Sequence, residues 1–119
     1  GEAKVTSAYR LLCKYVIHTV GPVWYGGNHG EEKLLADAYR SSLQCAVEYG
    51  VRKVAFPSIS TGVYGYPVEK AAEAAVRTVR AFCTAHPDNI ETVRFVLFDA
   101  CTKSAYDRAI DVICGSGQE

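Results

Sequence analysis

Residues 53–67 read Lys53-Val-Ala-Phe-Pro57, then Ser58-Ile-Ser-Thr-Gly-Val-Tyr-Gly-Tyr66, then Pro67. The first five residues read as a strand, and Pro67 stands where a proline is favoured in the first turn of a helix. Beyond it Val68, Ala71, Ala72, Ala75, Val76, Val79 and Phe82 recur at the spacing of one buried helical stripe, with Pro87 past the end. A strand that runs through a glycine-rich loop into an amphipathic helix is the repeating unit of an α/β protein.

The same alternation extends to both sides. Upstream, the β-branched and aromatic run Lys14–Val20 predicts a strand that stops at Gly21-Pro22, and Tyr25–Gly30 is a loop. A helix is predicted from about Glu31 to Tyr49, with Leu35, Ala38, Tyr39, Ser42, Cys45, Ala46 and Tyr49 facing inward. Glu31 and Glu32 suit its positive N-terminus, and Gly50 is placed to end it. Downstream, Thr92–Phe98 is an apolar strand, and a last helix from Lys103 to Ile113 turns Ala105, Tyr106, Ala109, Ile110 and Ile113 inward, with Gly115 beyond it. Residues Gly1–Arg10 offer at most a short strand. The expectation is an α/β fold with a mainly parallel or mixed sheet and helices on its faces. Ligands in such sheets sit beyond the carboxyl ends of the strands, where Ser58 and Phe98-Asp99 fall.

A chain of 119 residues suits one small domain, and its 49% hydrophobic and 22% charged residues are ordinary for a globular protein. Thirteen basic residues balance thirteen acidic ones, so no global field draws it to nucleic acid or an anionic membrane. An anion must then be held by local geometry. The cysteines at 13, 45, 83, 101 and 114 form no C-x-x-C pair, which argues against a zinc site or disulfide framework. They read as small buried hydrophobes in a reducing, cytoplasmic setting. No stretch approaches the roughly 18 apolar residues of a membrane helix, and no metal or cofactor is expected.

The loop Ser58–Tyr66 holds the chemistry. Gly62 and Gly65 permit backbone angles closed to other residues and let a ligand approach the main chain. Successive amides in such a turn can face one concavity, with the helix N-terminus behind them. Ser60 and Thr61 add hydroxyl donors, and Tyr64 offers a face to a sugar. The loop contains no Lys or Arg, so it is not the Gly-Lys-Ser/Thr phosphate loop. It suits a diphosphate held by neutral donors, although glycine-rich connections are also common without any ligand.

Tyr15-Val-Ile-His-Thr-Val-Gly-Pro22, Trp24-Tyr-Gly-Gly-Asn-His-Gly-Glu31, Phe56-Pro-Ser-Ile-Ser-Thr-Gly-Val-Tyr-Gly-Tyr-Pro67 and Phe95-Val-Leu-Phe-Asp99, with Gly1-Glu-Ala3 before them, resemble consecutive motifs of the macrodomain family. The resemblance is closest to its bacterial branch of ADP-ribosyl and O-acetyl-ADP-ribose hydrolases and covers nearly the whole chain. It implies a three-layer α/β/α fold and ADP-ribose, its O-acetyl ester or mono-ADP-ribosylated proteins as ligands. It also implies that Ser58, Ser60, Thr61, Gly62, Val63, Tyr64 and Gly65 wrap the diphosphate and distal ribose, with Tyr64 packed on that ribose. Phe98 occupies the position where an aromatic stacks on adenine; core packing is its alternative.

Family hydrolases also carry, ahead of Gly-Glu-Ala, an adenine-reading aspartate, an Asn-Ala-Ala-Asn stretch and a glycine-rich loop with the catalytic aspartate. None of these stands in this sequence, so residues 1–119 correspond to the C-terminal two-thirds of that domain, and no catalytic residue is assigned. The readings left open are a hydrolase, a non-catalytic ADP-ribose reader and an inactive structural fragment. Bare strand edges would favour dimerisation, exchange of elements or completion by a further segment. Among the remaining candidates, His18 reads as a structural histidine within a strand, and His29 and His86 as solvated loop residues. Asp99 reads as a helix cap or ribose contact, and Arg77, Arg80 and Arg94 as solvated surface.

Overall fold

The computed structural model describes residues 3–7 and 15–115. Ala3–Ser7 forms β1 and Tyr15–Thr19 forms β2, paired antiparallel with Ala3 opposite Thr19. Then follow α1 (Glu31–Glu48), β3 (Lys53–Phe56), α2 (Val68–Ala85), β4 (Thr92–Phe95) and α3 (Ala100–Cys114). β3 and β4 lie parallel, Lys53 opposite Thr92 and Phe56 opposite Phe95. The architecture is α/β with mixed strand directions. Among the described residues the strands form two separate pairs rather than one ladder. The directions follow from the connections: a helical crossover through α2 brings β4 back alongside β3 in the same direction. Gly1, Glu2, Cys13 and Lys14, used in the sequence reading, lie outside the described residues.

One apolar cluster joins the three helices and the second strand pair. It contains Leu35, Tyr39, Leu43 and Ala46 of α1, Phe56 of β3, the alanine face of α2, Ile90, and Ala105 and Tyr106 of α3. The aromatic rings interlock, with Tyr39 and Phe56 centroids 4.9 Å apart and Phe95 and Tyr106 also 4.9 Å apart. Ala71, Ala72, Ala74 and Ala75 are buried, and their small side chains let α1 and α3 pack closely on α2.

Element ends explain where the sequence reading and the fold part. Helix α1 stops at Glu48. The amide of Gly50, at φ 70°, donates to the Val47 carbonyl, and that of Val51 to the Ala46 carbonyl. This is the pair of bonds that closes a helix on a left-handed glycine. Tyr49, expected inside, is the capping residue, lies off the helical stripe and is exposed. β4 ends at Phe95 instead of Phe98. The last bond between the strands runs from the Val96 amide to the Phe56 carbonyl at 2.7 Å; the next residue after β3 that could face β4, Ser58, is drawn into the loop, its hydroxyl on Tyr106 and its carbonyl 3.2 Å from the Thr61 hydroxyl. α3 begins at Ala100, earlier than Lys103, because Asp99 caps it: its carboxylate accepts from the Thr102 amide at 2.7 Å and the Thr102 hydroxyl at 3.0 Å. These bonds hold the Asp99 carboxyl below its ordinary range. Ile110, expected inside, lies on the exposed side of α3.

His18 is exposed on β2 rather than enclosed in a core, and the His86 ring stacks on Phe82 with centroids 4.1 Å apart instead of being free in solvent. Cys45, Cys83 and Cys114 are half-buried and Cys101 is exposed, so these thiols are less enclosed than expected. Burial pushes the Cys45 and Cys83 thiols above their usual range. No helix among the described residues is long and apolar enough to cross a membrane.

The alanine face of α2 sets the helix spacing, so Ala75→Leu should destabilise the protein by about 1–3 kcal/mol through overpacking. Urea denaturation checks this; an unchanged midpoint would mean that the α2 interfaces hold spare volume.

Candidate functional site

The loop between β3 and α2 is held from beneath by two buried tyrosines. Tyr39 of α1 and Tyr106 of α3 bring their hydroxyls to 3.4 Å. The Tyr39 oxygen accepts from the Ile59 amide at 3.2 Å, and the Tyr106 hydroxyl bonds the Ser58 hydroxyl at 2.8 Å. Thr61 continues the chain, donating to the Ser58 hydroxyl at 2.9 Å, with the Ser58 carbonyl 3.2 Å away. Burial, reinforced by the facing Tyr106 hydroxyl, pushes the Tyr39 phenol far above the tyrosine range, so it remains a neutral donor and acceptor. Both helices therefore fix the start of the loop from the core side.

Three carbonyls of the loop's main chain are engaged with the protein: Ser60 accepts from the Tyr66 amide at 3.0 Å, Gly62 from Gly65 at 3.0 Å and Tyr64 from Trp24 at 2.9 Å. The amides from Ser60 through Tyr64 have no acceptor among the described residues. Unpaired backbone donors have an obligatory need for a partner, from water or a ligand. Here they form an uninterrupted run beyond the carboxyl end of a strand and before a helix N-terminus.

The backbone bends at Ser60 and Gly65, with φ of 68° and 75°. Gly65 matches the expectation from sequence, whereas Gly62 does not adopt a positive φ. A Cβ added at Gly62 meets nothing within 4 Å, so this glycine leaves open space above the main chain instead of permitting a special angle. A left-handed serine costs about 1 kcal/mol. Ser60 is held so by the Tyr66 amide on its carbonyl, and Gly21 leaves it room, since a Cβ there would collide with Ser60 Oγ and Ile59 Cγ2.

The side chains divide into two groups. Ser58 and Thr61 spend their hydroxyls on each other and on Tyr106, so Thr61 is not the free hydroxyl donor expected from sequence. The Ser60 hydroxyl is buried and has no partner among the described residues. Val63 is fully exposed and Tyr64 partly so. Phe98 is 88% exposed, which removes the core-packing alternative for it. The turn from β4 to the Asp99 cap carries that ring outward.

A second loop, Trp24–Gly30, is organised by a carboxylate. Glu31 is the first residue of α1 and only 1% exposed. Its Oε2 accepts from the amides of Tyr25 at 2.7 Å and Gly27 at 3.0 Å, and its Oε1 from the amide of His29 at 2.7 Å. Burial works to raise the Glu31 pKa, but these backbone donors outweigh it and hold the carboxyl down to about 2. Gly26, Gly27 and Gly30 take φ of 104°, 94° and 75°, which turns the amides toward the carboxylate. The Trp24 ring packs on buried Tyr66, centroids 4.7 Å apart.

The sequence marked out the glycine loop but not what holds it. Tyr39 and Tyr106 were visible only as members of apolar stripes, and nothing in their spacing discloses that their hydroxyls meet. Gly21 read as a strand stop and Glu31 as a favourable helix-end charge. The clustering of Gly26, Gly27 and Gly30 just before a Glu was the available sign of a carboxylate-filled turn.

The description "Macro domain" is that of the family model matching residues 1–75. A Macro domain-containing protein of Chlorobaculum tepidum is 56% identical over 110 residues, covering 92% of this chain and 63% of the relative. An O-acetyl-ADP-ribose deacetylase of Klebsiella pneumoniae is 54% identical over 110 residues, covering 92% of this chain and 62% of the relative. Among solved structures, an Oceanobacillus iheyensis macrodomain mutant with ADPR superposes with a TM-score of 0.87 at 37% identity, covering 95% of this chain and 60% of the other. The chain thus spans about three-fifths of the length of the proteins it matches.

The hydroxyl chain beneath the loop should be measurable as a coupling. In a double-mutant cycle of Ser58→Ala and Tyr106→Phe, we expect an interaction energy of about 1 kcal/mol by urea denaturation; strict additivity would refute the link. A carboxyl depressed in the folded state contributes stability that is complete above its unfolded pKa and is lost as pH falls through the folded value. Glu31→Gln should therefore lose less stability than the wild type on acidification from about pH 5 to about pH 2.5. Parallel acid titration curves would contradict this.

Proposed function

The chain belongs to the Macro domain family, and from that premise we propose that it binds ADP-ribose and its derivatives through the loop Ser58–Tyr66. The observation that carries the reading is the unbroken run of amides at Ser60, Thr61, Gly62, Val63 and Tyr64 left for an acceptor, while the carbonyls of Ser60, Gly62 and Tyr64 are bonded to the protein. A diphosphate offers several anionic oxygens to such a row, and hydrogen bonds to charged acceptors are the strong ones. No lysine or arginine is needed, in keeping with the balanced charge. The buried Ser60 hydroxyl adds a donor, the exposed Tyr64 ring packs on the distal ribose, and the outward Phe98 ring stacks on adenine. Ser58 and Gly65 act differently: Ser58 fixes the loop from below and Gly65 supplies its second bend.

Residues 1–119 act in this reading as one binding unit, and the ligand class comprises ADP-ribose that is free, O-acetylated or attached to a protein in mono-ADP-ribosyl form. The Klebsiella relative is named for deacetylation of O-acetyl-ADP-ribose, and the ADPR of the Oceanobacillus structure supports the nucleotide class. Hydrolysis requires a positioned and activated water. The Ser58–Tyr66 loop contains no carboxylate, imidazole or thiol, so its role is to hold the substrate. Turnover is proposed for the whole protein and binding for this loop. The half-buried free thiols fit a reducing cytoplasm.

Calorimetric titration with ADP-ribose tests the reading. Gly62→Val adds bulk where there is open space and no special backbone angle, so it should keep the wild-type melting temperature and weaken binding by about tenfold or more. Wild-type affinity in this variant would overturn the assignment of the loop.

A further inference from the structure

Among the described residues two loops gather backbone amides, and one of the two contains its own anion. In Trp24–Gly30 the Glu31 carboxylate takes the donors of Tyr25, Gly27 and His29, fixing a turn whose three glycines would otherwise leave it loose. That turn touches the binding loop through Trp24. The Trp24 amide donates to the Tyr64 carbonyl at 2.9 Å, and its ring packs on Tyr66. The Gly27 backbone lies against the benzo edge of the indole, where an added Cβ would stand 2.8 Å from the ring. Glu31, Gly27, Trp24 and Tyr64 thus form one mechanical series, from a buried carboxylate to the exposed aromatic of the binding loop.

We infer that Glu31 is a positioning residue for ligand selection, setting Tyr64 through Trp24 so that the site favours nucleotides with a distal ribose over those ending at the diphosphate. The inference rests on the proposed binding of ADP-ribose and adds a selectivity determinant. Glu31 touches no ligand. Its carboxylate is buried against its own turn, and what it supplies is the fixed height of the Tyr64 carbonyl and, with it, of the Tyr64 ring. Of the five diphosphate amides, the four from Ser60 to Val63 are held separately, by the Tyr39–Tyr106–Ser58 hydroxyls and the Tyr66–Ser60 bond. Releasing Glu31 should therefore harm distal-ribose contact more than diphosphate contact.

Trp24 is the only tryptophan in the chain and reports directly on this series. The test compares wild type, Glu31→Ala and Gly27→Ala by tryptophan emission, far-ultraviolet dichroism and calorimetric titration with ADP-ribose and with ADP. The expected result is a red-shifted emission in both variants with helical dichroism retained. ADP-ribose binding should weaken about tenfold, as for loss of one charge-assisted hydrogen-bond network, while ADP binding changes by no more than about twofold. A merely structural role would weaken both ligands alike, and that result overturns the proposal, as does wild-type preference for ADP-ribose in a variant whose emission has moved. If Glu31→Ala does not fold, Gly27→Ala displaces the same ring with the carboxylate intact and decides the matter. Should wild type bind neither nucleotide, the functional reading fails and the selectivity proposal with it. Should wild type bind both and the variants keep its selectivity, only the role of Glu31 falls.

Discussion

The contact between the Tyr39 and Tyr106 hydroxyls is the constraint on which the site depends. Each tyrosine is buried in the apolar cluster, so each hydroxyl must find a partner inside the protein. They meet that need through one another and through the main chain and side chain at the end of β3. Helices distant in sequence are thereby tied to the first residues of the loop. Because Ser58 and Thr61 complete the network, the loop cannot shift without leaving buried polar atoms unpaired, a cost of about 1–3 kcal/mol per group. The rigidity that a preorganised anion site requires comes from the core.

The second consequence is polarity. Once the carbonyls of Ser60, Gly62 and Tyr64 are taken by Tyr66, Gly65 and Trp24, the amides between them are what remains for a ligand. The same chain shows what such amides do when an anion is at hand. In Trp24–Gly30 the donors close around Glu31 and depress its carboxyl to about 2. One amide cluster is satisfied internally and serves as scaffold; the other is left for an exogenous anion. This division is how a chain with no net charge offers neutral donors to an anion.

Much of this was legible in the residues. The apolar stripe of α2, the strand at Lys53 and the glycine loop between them follow from periodicity and turn chemistry, and the Asp99 cap followed from its place ahead of a helix. The motifs from Tyr15 to Asp99 carried the family. What stayed hidden is tertiary. That β4 stops at Phe95 depends on Ser58 being drawn to Tyr106 and Thr61; that Phe98 faces out depends on the turn that follows. Ser60, and not Gly62, takes the left-handed angle, and the missing side chain of Gly21 leaves the room that its hydroxyl occupies. Tyr39, Tyr106 and Glu31 each looked like ordinary helix residues, since a hydroxyl network or a filled turn has no local periodicity.

The central claim, that the free amides of one loop hold the diphosphate, is most directly tested by nitrogen-15 amide shifts during titration with ADP-ribose. The account predicts that the signals of Ser60, Thr61, Gly62, Val63 and Tyr64 move downfield together and saturate with one affinity, while those of Tyr25, Gly27 and His29, already bonded to Glu31, stay close to their starting positions. Saturable binding that leaves the Ser60–Tyr64 amides unmoved would contradict it.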